Sequence, residues 1–180
     1  MTIAPRRPLV TEAEFLSLPE SLDRIELIDG EVIVSPSPTS WHQTLVVRLV
    51  RKLGDWAEAQ EPPAFLGLSP LDVRFGPGRI LQPDLFLLLG GFTPEQRGPI
   101  DRIPEVCIEV LSLNRVYDRV TKRQVYAQAG VKEFWAVETS GLIERWHGAG
   151  LELAEDLDQV LESPLLPGLR LDLVALFRRP

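Results

Sequence analysis

Gln82-Pro83-Asp84-Leu85-Phe86-Leu87-Leu88-Leu89 and, after a Gly/Pro-rich loop, Val106-Cys107-Ile108-Glu109-Val110-Leu111 read as two apolar strands that each carry one carboxylate. Runs this apolar belong in a sheet covered on both faces, where a carboxylate is costly unless its charge is compensated. The segment from Asn114 to Ala129 has helical spacing and ends at Gly130. Asp118, Lys122, Val125, Tyr126 and Ala129 fall on one of its faces, while Arg119 and Arg123 do not. A divalent metal would compensate Asp84 and Glu109 together, and the helix offers an ammonium at Lys122. On spacing alone, Lys122 reads equally well as an i,i+4 surface partner of Asp118.

Pro83 constrains its own segment. Proline gives the ladder no N–H, so the strand expected over 79–89 needs an edge, a bulge or a start at that point. Upstream, Thr11 is expected to cap a short helix, with the glutamate of Thr11-Glu12-Ala13-Glu14 out of place for a full capping box. Arg24–Ile28 and Glu31–Val34 flank Asp29-Gly30, a strong hairpin signal. In the first of these strands Glu26 lies opposite Ile25 and Leu27 and reads as solvent-facing. A Ser/Pro loop then leads into the longest helix, roughly 41–60, with Leu45, Leu49, Leu53 and Trp56 as its apolar stripe. His42, in its first turn, reads on position alone either as a neutral cap or as leaning toward a site.

Residues 64–75 read as extended, and the loop over 90–103 as a lid or surface excursion. Phe134–Val137 is a buried strand, and Leu142–Trp146 pairs back onto it as a hairpin. Short strands follow around Leu153 and Val160, then a final helix near Leu173–Phe177. The strand–helix–strand order across 106–137 predicts one parallel pair in an otherwise antiparallel sheet.

The bulk properties set limits. With 180 residues, 44% of them hydrophobic, the chain can bury one full core. One domain over 1–180 is expected, with a core at about 40–140, an N-terminal helix and hairpin over 11–35, and a C-terminal extension over 141–180. Apolar runs of about five residues are far short of the roughly 20 that span a bilayer, so no membrane partner is expected. No apolar stretch follows Arg6-Arg7, which argues against a signal peptide and for the cytoplasm. The lone cysteine, Cys107, excludes an internal disulfide. A net charge of −7 speaks against a simple nucleic-acid coat protein, yet leaves room for a nuclease, because a metal held by carboxylates inverts the local field.

Oxygen ligands with coordinated water are what Mg²⁺ (or Mn²⁺) takes, and such an ion would bind a phosphate oxygen and activate water for in-line displacement. Pro83-Asp84 followed by Glu109 resembles the PD-(D/E)xK nuclease superfamily. The wider pattern resembles the Uma-type family of restriction endonucleases over nearly the whole chain. It comprises Glu26-Leu27-Ile28-Asp29-Gly30-Glu31, Pro38 to His42, Gln82-Pro83-Asp84, Glu109-Val110-Leu111-Ser112, Asp118 to Lys122, and Tyr126 to Trp135. The resemblance implies an α/β (α+β) fold with a restriction-endonuclease-like core, a mixed central sheet flanked by helices, and an N-terminal hairpin and C-terminal β extension. It implies DNA as substrate, Asp84 and Glu109 as metal ligands, and Asp84, Glu109 and Lys122 as the catalytic set. Leu111 stands where the superfamily lysine should be, and the Uma-type pattern implies that Lys122 has taken over its role. Glu26, His42 and Gln82 fall in positions that would line the site.

Two other function classes compete. A nuclease fold that no longer cuts would serve as a binding or assembly module, in keeping with the acidic charge and Leu111. Glycoside hydrolysis by two carboxylates would need an aromatic-lined groove, and Trp41, Trp56, Trp135 and Trp146 read instead as packing residues. A 20.2 kDa acidic subunit is expected to meet duplex DNA as a homodimer, through the hairpin or a C-terminal strand.

Overall fold

At Pro83 the chain leaves one sheet and enters another. In the computed structural model, which describes residues 9–19, 21, 23–93, 98–111 and 117–179, the strand expected over 79–89 is two strands. These are β5 (Arg79–Leu81) and β6 (Leu85–Leu88), separated by Gln82-Pro83-Asp84. The missing proline N–H is resolved by a change of sheet rather than by a bulge. The extended stretch before them also divides, into β3 (Phe65–Leu68) and β4 (Val73–Arg74), again one in each sheet.

The smaller sheet has the order β2-β1-β5-β4. Its β1 (Arg24–Ile28) and β2 (Glu31–Ser35) form the expected hairpin, whose turn residues Asp29 and Gly30 have φ of 51° and 89°. Positive φ at both central residues suits the twist of the flanking strands. Helix α1 (Glu12–Leu16) covers one face of this sheet with Phe15 against Leu27 and Ile80. Its capping box is complete, contrary to expectation. Glu14 stands at the third helical position, its carboxylate accepts the Thr11 N–H at 2.8 Å, and the Thr11 hydroxyl accepts the Glu14 N–H.

The larger sheet has the order β10-β9-β8-β7-β6-β3 and contains β7 (Val106–Val110), β8 (Glu133–Glu138), β9 (Leu142–His147) and β10 (Leu153–Leu157). Among the described residues of this sheet only β7 and β8 pair in parallel, as the strand–helix–strand order predicts. Helix α2 (Ser40–Glu58) packs Leu45, Leu49 and Leu53 onto the face formed by Leu85, Leu87, Val106, Ile108 and Trp135. Each of these leucines, fully buried, contributes about 1.5–3 kcal/mol. The opposite face, with Phe86, Leu88, Cys107 and Phe134, is covered by Val125 and Tyr126 of α3 (Lys122–Ala129). Because strand side chains alternate, Glu109 shares the face of Cys107 and points toward α3.

A π-helical turn, Tyr117–Thr121, leads into α3, which ends at Gly130 with φ 92°. The expected helix start at Asn114, and Ser112 with it, lie outside the described residues. Part of the 90–103 loop does too, but Ile100 is buried and ties it to β4: its N–H donates to Asp72 O at 2.8 Å and its carbonyl accepts from Arg74 N at 2.9 Å. β11 (Val160–Glu162) and β12 (Arg170–Asp172) pair antiparallel, and α4 (Leu173–Leu176) closes the chain. Among the described residues no helix is long and apolar enough to cross a membrane.

Candidate active site

The Pro83 break holds Asp84 at the seam between the two sheets, 4% exposed. Its Oδ2 accepts the Val110 N–H at 2.8 Å and lies 3.1 Å from His42 Nε2, while its Oδ1 accepts from Arg24 Nη1 at 2.7 Å. Burial alone would raise its pKa; the His42 hydrogen bond and the Arg24 charge overcome this and hold it at about 2. Of the two readings of His42, the structure has it buried beside Asp84 and not capping, with Thr39 as the N-cap of α2.

Glu109, across on β7, is equally buried. Its Oε1 accepts from Lys122 Nζ at 3.0 Å and from the Tyr126 hydroxyl at 2.6 Å, and its Oε2 from Arg24 Nη2 at 3.3 Å. Here burial wins. Despite Lys122 and Arg24, the carboxyl is pushed up to about 7.

Lys122 has no solvent exposure, and its Nζ sits 3.0 Å from both Glu109 Oε1 and Glu26 Oε1. This rules out the surface pair with Asp118. Burial would lower its pKa, but Glu109 and Glu26 more than offset that, so the ammonium stays charged. Glu26 itself corrects the solvent-facing expectation, since it is fully buried. It accepts from Gln82 N at 2.8 Å and from the Tyr117 hydroxyl at 2.9 Å. The alternation was right, since Glu26 does point away from Leu27, but the face it points to is the site rather than water. Gln82 joins through its backbone and donates its side-chain amide to Asp72 at 2.9 Å.

Three residues had no assigned part in the sequence reading. Arg24, Tyr117 and Tyr126 complete the charge and hydrogen-bond network. For Arg24 a signal existed: two residues before Glu26 on one strand, it must share that residue's face.

A pocket of about 360 Å³ opens over this seam, lined by Arg24, Pro36, His42, Gln82, Asp84 and Asp118 among others. Arg24 Nε, His42 Nδ1 and Gln82 Oε1 are buried polar atoms without a protein hydrogen-bond partner, and all three belong to residues lining the pocket. Buried polar atoms left unpaired are costly, and such a cluster marks a place for water or a ligand. Glu133 shows the contrast. It is also buried, but Arg145 binds it bidentately at 3.1 and 2.7 Å, and Trp135 and Ser163 donate as well. That carboxylate is structural.

The donor set fits a hard divalent ion. Asp84 and Glu109 would supply carboxylate oxygens, and Gln82, which lines the pocket with Asp84, has its Oε1 buried and unpaired. Among the described residues no group of three or more His, Cys, Asp or Glu side chains is arranged to hold a metal. Two carboxylates completed by water would suit Mg²⁺ rather than zinc. The tryptophans are accounted for by packing: the Trp41 and Trp56 indoles donate to Thr139 O and Pro167 O, each at 3.0 Å.

A crystal structure described as "a putative nuclease belonging to DUF820" from Anabaena variabilis superposes with a TM-score of 0.78 at 24% identity, covering 93% of this chain and 97% of that one. Its likeness establishes the fold. Among curated proteins the chain has no match. The family model named Uma2, with the description "Putative restriction endonuclease", matches residues 12–174. The chain belongs to the Uma2 family.

Proposed function

We propose that the protein is a Mg²⁺- or Mn²⁺-dependent endonuclease acting on DNA phosphodiester bonds, with Asp84 and Glu109 holding the metal. The observation that carries this is the pair of buried carboxylates flanking the Pro83 seam, under a pocket with unpaired polar atoms, in a chain of this family. When bound, the ion would supply Lewis-acid stabilisation of phosphoryl charge and acidify a water. The chain's own residues prepare for it. His42 and the Val110 N–H fix the Asp84 carboxylate in one orientation. Lys122 and the Tyr126 hydroxyl do the same for Glu109. Lys122, wholly buried and paired at 3.0 Å with both Glu109 and Glu26, assists as a positioning residue through those carboxylates.

A cytoplasmic homodimer is part of the proposal. β2 and β10 are sheet edges that expose Val34 and Leu153, 58% and 53% accessible, and either edge would seat a second copy. Only monomer in gel filtration at micromolar concentration would remove this part.

Supercoiled plasmid incubated with Mg²⁺ or Mn²⁺ is the direct test. Nicking by wild type that is lost in both Asp84→Asn and Glu109→Gln supports the reading; cleavage unchanged by either substitution overturns it. No cleavage with either ion favours a silent nuclease fold serving as a binding or assembly module, a reading to which Leu111 in the lysine position lends weight.

A further inference from the structure

Arg24 and Lys122 both lie against the buried carboxylates, and they differ in one respect. Lys122 is sealed, with a side chain 0% exposed. The Arg24 side chain is 20% exposed, lines the pocket, and belongs to the first residue of β1, opposite Ser35, which lines the pocket too. Its guanidinium bridges Asp84 at 2.7 Å and Glu109 at 3.3 Å, lies 3.6 Å from Glu26, and donates to Gln82 O. A divalent ion held by both Asp84 and Glu109 needs oxygen contacts of about 2.0–2.2 Å, which would put it within the space the guanidinium fills. Two cations cannot share that space.

We propose that Arg24 is an exchangeable counter-ion of the site: its guanidinium holds the two carboxylates together before metal arrives and must swing into the pocket for a divalent cation to bind. The inference rests on the metal site proposed above. Lys122 remains as the fixed counter-ion, so only one positive group is exchanged. The pocket on the solvent side has room for the displaced side chain, and the unpaired Arg24 Nε shows that its present pose leaves one donor unused. Once displaced, the guanidinium lies at the pocket mouth with its donors free for a phosphate oxygen.

Calorimetric titration of Mn²⁺ into wild type, Arg24→Met and Arg24→Lys, without DNA, tests this. Arg24→Met is expected to bind about ten- to a hundredfold more tightly, since charge-assisted hydrogen bonds no longer have to be broken. Arg24→Lys, a shorter point charge unable to bridge both carboxylates, should fall between. In wild type the Arg24 Nε resonance should shift on titration with Mg²⁺, a readout that does not depend on a variant folding. Equal or weaker Mn²⁺ binding by Arg24→Met, with wild type binding normally, overturns the exchange and leaves the metal site standing. Absence of binding in all three proteins removes the metal site and the exchange together. An unmoved Arg24 resonance in a protein that binds Mg²⁺ also refutes it.

Discussion

Lys122→Met replaces the buried ammonium with an apolar side chain of similar length. In the native chain that ammonium sits 3.0 Å from Glu26 and from Glu109. Without it the two carboxylates share only Arg24, at 3.6 and 3.3 Å. Breaking a buried ion pair by removing one partner costs about 3–5 kcal/mol, because the remaining charge stays buried. For a domain of this size that corresponds to a fall in melting temperature of roughly 6–20 °C. Protonation limits the loss. Glu109 is already held at about 7, and removing a cation beside it moves it further up. Below that value it is neutral and its burial costs less, so the penalty should be largest at about pH 8.5 and smaller at about pH 6. Urea unfolding followed by circular dichroism, without metal, at both pH values measures it. Adding Glu26→Gln to Lys122→Met should recover part of the loss, since one stranded carboxylate disappears. A penalty below about 1 kcal/mol, flat with pH, is what a surface pair with Asp118 would give, and it would refute the buried bridge.

Metal affinity should itself depend on pH. Glu109 must be ionised to ligate, so with a carboxyl at about 7 the apparent affinity should rise about tenfold per pH unit below that value and level off above it; calorimetry that finds a flat profile contradicts this. Asp84 behaves oppositely toward acid. Its carboxyl is lowered from 3.8 to about 2, so the stability it contributes is present above about pH 4 and lost as pH falls through 2; wild type should show this loss of about 2 kcal/mol in acid titration and Asp84→Asn should not. Gly67→Ala should destabilise by about 1–3 kcal/mol in a thermal melt, because a Cβ on β3 would run into the Phe86 ring opposite it.

The apolar runs were enough to read the larger sheet. Leu85–Leu88 and Val106–Val110 are buried on both faces, and only a central position in a sheet accounts for that. The hairpin at Asp29-Gly30 and the helical stripe of α2 were equally plain, since each depends on local spacing. What could not be read was which face of β1 looks at what. The pattern of Arg24, Glu26 and Leu27 fixes their opposition, but a polar face meets water or a site depending on whether the second sheet lies against the first. The two apolar segments over 64–75 and 79–89 hid that second sheet, because extended backbone looks the same whichever neighbour it pairs with. His42 was obscure for a related reason. Its partner Asp84 lies 42 residues away, and helical periodicity carries no long-range information.

The seam at Pro83 also has a kinetic meaning. Arg24 and Glu109 are 85 residues apart, and Tyr117 and Glu26 are 91 apart, so the site closes through some of the longest loops in the chain. Contacts of such separation form late, after local hairpins and helices have condensed. During synthesis the β1–β2 hairpin emerges with Glu26 and Arg24 well before Lys122 and Glu109 follow. Until they arrive, Glu26 has Arg24 and the Gln82 N–H but lacks its lysine and the Tyr117 hydroxyl. Docking of the two sheets therefore takes Arg24 and Glu26 out of water together with the groups that pair them.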